Sequence, residues 1–193
     1  MEFASLPPGL PVPVDDGAAR HLEGMTLPAL SLARVDGGEL DLRPAGTLVA
    51  FVYPRTGTPG EPLPPGWDDI PDARGCTPQS CAFMDRHEAL AGLGASVVGI
   101  SSMDRREQRD FAEREHLPYP LLNDSALALG DALGLPTFDA AGMTLYKRLT
   151  FVARGGVIEK VFYPVFPPDR NAAEVEEWLR RVGMSGTAGE PRG

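Results

Sequence analysis

A chain of 193 residues is long enough for one domain with a sizeable core, and its apolar and charged fractions suit an ordinary globular protein. With 27 acidic against 18 basic residues its formal charge is −9, which argues against nucleic acid and anionic membrane surfaces as partners. No apolar run approaches the ~20 residues of a membrane helix.

Residues 1–24 form a Pro/Gly-punctuated arm, expected to dock on the surface at most. The arm has no basic start and no long apolar stretch, so it does not read as a secretory signal. The expected location is the cytoplasm, where thiols stay reduced. Residues 27–34 and 39–42 flank Val35-Asp36-Gly37-Gly38, a hairpin signal because glycine tolerates positive φ. Residues 47–53 (TLVAFVY) predict a strand covered on both faces. The stretch 54–75 is crowded with proline and glycine and predicts a long irregular loop, a kind that often carries function. A helix is expected over 78–93, with Pro78 in its first turn, and a second buried strand over 95–100. Asp104 and Glu107 are spaced as a capping box for a helix ending near Glu115. A short strand over 120–122 and a helix over 125–133, closed by Gly134, follow. Residues 145–153 and 157–163 predict a second hairpin across Arg154-Gly155-Gly156. Asn171 and Glu174 are expected to cap a last helix with the core stripe Val175, Trp178, Leu179 and Val182, ended by Gly183 and followed by a disordered tail over 184–193. This order predicts an α/β fold in one domain, residues 25–183, with a central mixed sheet, helices on both faces and an N-terminal β-hairpin.

The chain has two cysteines, Cys76 and Cys81, too few for a four-ligand zinc site without other donors. Cys76 lies in Gly75-Cys76-Thr77-Pro78, at the start of a helix that follows a core strand. The unpaired amides and the dipole of a helix N-terminus favour thiolate over thiol, and α/β folds place active sites at strand ends. Cys81, five residues on, gives the layout of a redox cysteine and its resolving partner. The plainer alternative, two inert thiols packed under the helix, is disfavoured by that position. Arg148 stands in an apolar strand pattern, unusual for a mere surface cation. His87 falls on the stripe Phe83, His87, Leu90 and reads as packed, while His21 and His116 read as solvated. Trp67 is expected to anchor the 54–75 loop, and the charges over 105–109 form a solvated helix face. No phosphate-binding loop is present, so no nucleotide is inferred.

Several segments also carry a family resemblance. Tyr53-Pro54-Arg55-Thr56-Gly57-Thr58-Pro59-Gly60, Gly75-Cys76-Thr77-Pro78-Gln79-Ser80-Cys81, Leu117-Pro118-Tyr119-Pro120-Leu121-Leu122-Asn123-Asp124 and Lys147-Arg148-Leu149-Thr150-Phe151-Val152 occur in the order found in peroxiredoxins. The resemblance is to their Q branch, which includes bacterioferritin comigratory protein, over roughly residues 25–182. An insertion, residues 61–75, separates the Pro-x-x-x-Thr segment from the cysteine, and Met84 stands where many relatives have arginine. The resemblance implies a thioredoxin-like fold and a thiol peroxidase for hydrogen peroxide or organic hydroperoxides. Cys76 would be the attacking thiolate and Cys81 its disulfide partner. Arg148 would hold the thiolate and the developing charge, Thr58 or Thr56 would orient the peroxide, and Pro54 and Pro59 would shield the site. No metal or organic cofactor is implied. A thioredoxin or similar dithiol would be the reductant, and the protein would act as a monomer. Two alternatives remain: a thioredoxin-type disulfide oxidoreductase, whose Cys-x-x-Cys spacing is not met here, and a copper-binding thioredoxin-fold module, for which His116 would be the distant ligand. Cys76 and Cys81 on one intact helix would have Cα atoms roughly 8.6 Å apart, beyond the ~7 Å reach of a disulfide. A disulfide would therefore require residues 77 to about 85 to unwind.

Overall fold

The computed structural model describes residues 6–43 and 45–186, with side chains as far as Gly183. The elements, in chain order, are β1 (Ser31–Arg34), β2 (Glu39–Asp41), β3 (Thr47–Val52), α1 (Cys76–Asp85), α2 (His87–Gly92), β4 (Ala95–Ser101), α3 (Arg105–Glu115), β5 (Leu121–Asn123), α4 (Ala128–Leu133), β6 (Thr137–Ala140), β7 (Met143–Tyr146), β8 (Leu149–Arg154), β9 (Val157–Phe162) and α5 (Asn171–Gly186). Seven strands form one mixed sheet in the order β2-β1-β5-β4-β3-β8-β9. The three central strands β3, β4 and β5 run parallel, and β8 lies antiparallel to β3, with Val52 opposite Leu149.

The apolar run of β3 is continuous because the sheet is covered on both faces. Leu48, Ala50 and Val52 point into one core with Leu129 and Leu133 of α4. Val49, Phe51 and Tyr53 point into the other, with Phe83 of α1, Leu90 of α2, Phe111 of α3 and Val175 of α5. Phe83 stacks on Phe51 at 4.6 Å between ring centroids, which fixes α1 to the centre of the sheet.

Some expectations need correction. The 78–93 helix is two helices: α1 begins at Cys76, and the backbone at Arg86 (φ −105°, ψ 3°) breaks it from α2. The apolar stripe runs across the break, so spacing alone hides it. Leu145 and Tyr146 do not lead into β8. They end a separate two-stranded ribbon, β6–β7, which was not expected. The arm is not merely docked, since Ala19 and Leu22 are core residues. Asp104 accepts from the amides of Arg106 and Glu107 as a cap should, but the Glu107 carboxylate turns to Arg55 at 3.0 Å, so the box is only half formed. Asn171 is not a cap but a buried polar residue facing α1 and β8. Helix α5 runs past Gly183 to Gly186, and the rest of the expected tail lies outside the described residues.

Candidate active site

The parallel strands end on one side of the sheet, and the loops that leave them meet there. After β3 the chain enters the long loop, tied to β4 where Ser101 Oγ donates to the Pro54 carbonyl at 2.8 Å. The loop ends at Gly75, whose φ of 98° is open to glycine rather than to L side chains. A Cβ there would also come within 2.4 Å of Pro168 Cγ. This hinge sets Cys76 as the first residue of α1, and no side chain caps that helix. The first-turn amides therefore lie beside the sulfur.

Cys76 is buried at 3 % exposure, beside a cavity of about 20 Å³ that is also lined by Pro7, Arg55, Thr56, Leu63, Trp67 and Arg74. Arg148, between β7 and β8, has no exposed surface, and its Nη2 donates to Cys76 Sγ at 3.2 Å. Its Nη1 donates to Gln79 Oε1 at 2.5 Å, and Gln79 Nε2 donates to Asn171 Oδ1, which also accepts from Thr150 Oγ1. The remaining contacts come from the inserted loop. Arg148 Nε donates to Asp72 Oδ1 at 3.0 Å, the Arg148 backbone amide to Asp72 Oδ2 at 3.1 Å, and Nη2 also to the carbonyls of Asp72 and Arg74. Burial works against the Arg148 charge, but the Cys76 sulfur and the Asp72 carboxylate outweigh it and hold the guanidinium protonated. Burial pushes the Asp72 carboxyl up to about 6 despite the arginine beside it.

Of the two threonines, Thr56 is buried on the Cys76 cavity, its Oγ1 donating to Met103 Sδ at 3.7 Å. Thr58 lines a different surface hollow with Arg106 and Glu107. Pro54 is buried behind the site, whereas Pro59 is exposed and shields nothing. Cys81 lies within α1 with Cys76, and both are free thiols. Burial pushes the Cys81 thiol up, and Glu115 and Asp85 add to it. Trp67 anchors the inserted loop as expected, buried against Phe138 at 6.3 Å. His87 packs by Tyr119 at 6.0 Å. His116 is exposed, but His21 is not simply solvated, since its Nε2 donates to the Leu133 carbonyl.

Sequence reasoning missed Asp72, Gln79 and Asn171. Asp72 sits in an aperiodic loop with φ 71°, a left-handed conformation that aspartate tolerates better than most residues. Gln79 gave no distinct signal between Pro78 and Ser80, and Asn171 was absorbed by its reading as a helix cap.

The redoxin family matches residues 22–179. A chloroplastic peroxiredoxin Q of Suaeda salsa is 30% identical over 166 residues, 85% of this chain and 70% of that protein. One from Populus jackii is 32% identical with the same coverage. Among solved structures, peroxidoxin BcpB of Mycobacterium tuberculosis superposes with a TM-score of 0.67 at 29% identity, over 83% of this chain and 97% of that one. The bacterioferritin comigratory protein of Xanthomonas campestris, described for its alkyl peroxide reduction activity, superposes with a TM-score of 0.66 at 22% identity, over 83% and 99%.

Proposed function

We propose, for a chain that belongs to the redoxin family and within it to the Q-type peroxiredoxins, that Cys76 is the residue that attacks the peroxide. The chain is thus a thiol-dependent peroxidase. The observation that carries the assignment is the 3.2 Å contact from a wholly buried Arg148 to the sulfur of a cysteine that opens a helix beside a cavity. A thiolate there is stabilised by the guanidinium and by the first-turn amides.

The Cys76 thiolate attacks one peroxide oxygen, and the O–O bond breaks. The other oxygen leaves as water or alcohol once protonated, and Cys76 becomes a sulfenic acid. Arg148 stabilises charge on the sulfur and on the oxygen being displaced, and the Thr56 hydroxyl orients the peroxide. The Cys81 thiol then condenses with the sulfenic acid, releasing water and forming the Cys76–Cys81 disulfide. A thioredoxin-like dithiol donor returns both residues to thiols by exchange. The raised Cys81 thiol is a poor nucleophile at rest, which suits this second role. A cavity of about 20 Å³ has room for roughly one small molecule, which suits hydrogen peroxide. We read the protein as a monomer. Two free thiols suit a reducing compartment such as the cytoplasm, although the plant relatives are chloroplastic.

Peroxide consumption with thiol counting tests the assignment. Cys76→Ser loses the activity. Cys81→Ser reduces one equivalent of peroxide and leaves a sulfenic acid that dimedone traps. Full activity in Cys76→Ser would move the attack to Cys81.

A further inference from the structure

The contacts of Arg148 divide into two sets. Cys76 Sγ and Gln79 Oε1 both belong to α1. The Asp72 carboxylate and the carbonyls of Asp72 and Arg74 belong to the inserted loop. That loop has its own anchor, with Trp67 and Ala73 buried against Leu145 of β7 and Arg74 paired to Asp68 at 2.8 Å. Forming the Cys76–Cys81 disulfide takes both the sulfur's charge and the first turns of α1 away from the guanidinium. A buried cation stripped of its counter-ions is strongly unfavourable, by more than any single neutral hydrogen bond returns.

We propose that Asp72 is a positioning residue for the peroxidase reaction: from the inserted loop, independently of α1, it fixes Arg148 by its backbone amide and Nε, so that the guanidinium keeps its place while Cys76 is oxidised. The carboxylate spans main chain and side chain of one residue, with 7 % of its own side chain exposed, and needs no atom of α1 to do so. Other charged or titratable groups bearing on Asp72 are Lys147 and Tyr163, and Lys147 is engaged with Asp16 at 2.6 Å. Asp72 thus remains as the anion that matches Arg148 through the oxidised half of the cycle. The inference rests on the Cys76 mechanism proposed above.

The first test uses the parent protein and the Arg148 Nε–H resonance, followed for hydrogen exchange in the dithiol and disulfide forms. Protection in both forms is expected, and its loss on disulfide formation would overturn the proposal. The second uses Asp72→Asn, a residue that also accepts the left-handed backbone. Here Nε–H protection falls in the disulfide form. The rate constant with hydrogen peroxide also drops by about 10-fold or more, because the guanidinium is no longer held in register. A residue that only held the fold would lower activity in step with the folded fraction and leave Nε–H protection in the folded disulfide form unchanged. Parent-like Nε–H protection in the disulfide form of Asp72→Asn, or a parent-like rate constant, rules out the positioning role. Absence of peroxide consumption by the parent would instead refute the Cys76 assignment, so the two failures are distinguishable.

Discussion

Arg148 is one side chain shared between the inserted loop and α1. It spends its donors on an anion from the loop, an amide from α1 and the sulfur, and it has no exposed surface. Arg148→Met keeps most of the volume and removes the charge. The rate constant with hydrogen peroxide should fall by about 10²–10³-fold, as for loss of one preorganised donor to the transition state. A pH series of rate constants checks this, and a rate within a few-fold of the parent would show that the guanidinium does not reach the reacting atoms. Asp72 carries a second prediction, about stability. Its carboxyl is raised from the ordinary 3.8 to about 6, so the folded state binds this proton more tightly than the unfolded chain. The resulting stabilisation is complete below about pH 4 and is lost as pH rises through about 6, a change of roughly 3 kcal/mol. Urea unfolding should show the parent losing stability relative to Asp72→Asn across that window, and parallel curves would mean that the carboxylate is not desolvated. Arg148 was legible in the sequence because a cation in an apolar strand pattern asks for an explanation. Asp72 was not, because nothing local separates it from the other acids of the loop.

At the scale of elements, α1 is the part that has to move if Cys76 and Cys81 are to join, as proposed. Both cysteines lie on it, and an intact helix holds their Cα atoms about 9 Å apart, too far for a disulfide. The break at Arg86 lets α1 open without α2. What resists is specific: Tyr119 Oη donates to the Ser80 carbonyl at 2.7 Å, and the Phe83 ring is fully buried on Phe51. Exposing Phe83 costs about 1.5–3 kcal/mol, so opening is easiest ahead of it. Amide exchange across residues 77–85 should be much faster in the disulfide form than in the dithiol form, most of all before Phe83, with β3 and β4 unchanged. Equal protection in both forms, with the disulfide confirmed by mass spectrometry, would show that no unwinding is needed. The strands and α3 were legible because their apolar periods are set by burial that the sheet makes unavoidable. The β6–β7 ribbon was not, because its turn is Ala141-Gly142, with φ 50° and 74°. Alanine at positive φ is tolerated there by the fold and gives no turn signal in the sequence.

The whole molecule brings to one sheet end what the chain keeps far apart. Pro7 of the arm reaches the Cys76 cavity, Asp16 pairs with Lys147 beside Arg148, and the loop before α1 folds onto the β6–β7 ribbon through Trp67. Sequence patterns gave the parallel core and the strand-end position of the cysteine, since both follow from local periodicity and from the rule that α/β sites sit at strand ends. The path of the inserted loop did not follow, because it has no period and its course is decided by where one tryptophan finds apolar cover. Trp67 therefore holds the loop that bears Asp72 and also walls the cavity beside Cys76. Trp67→Ala should act in opposite directions on two substrates. Removing the indole widens a space that has room for about one small molecule, which favours a bulky hydroperoxide. It also loosens the loop that positions Arg148, which slows hydrogen peroxide. The ratio of the rate constants for cumene hydroperoxide and hydrogen peroxide should rise by about an order of magnitude, while the hydrogen peroxide value itself falls. Stopped-flow measurement of both substrates decides it. An unchanged ratio would mean that the tryptophan supports the loop without bounding the path of the substrate.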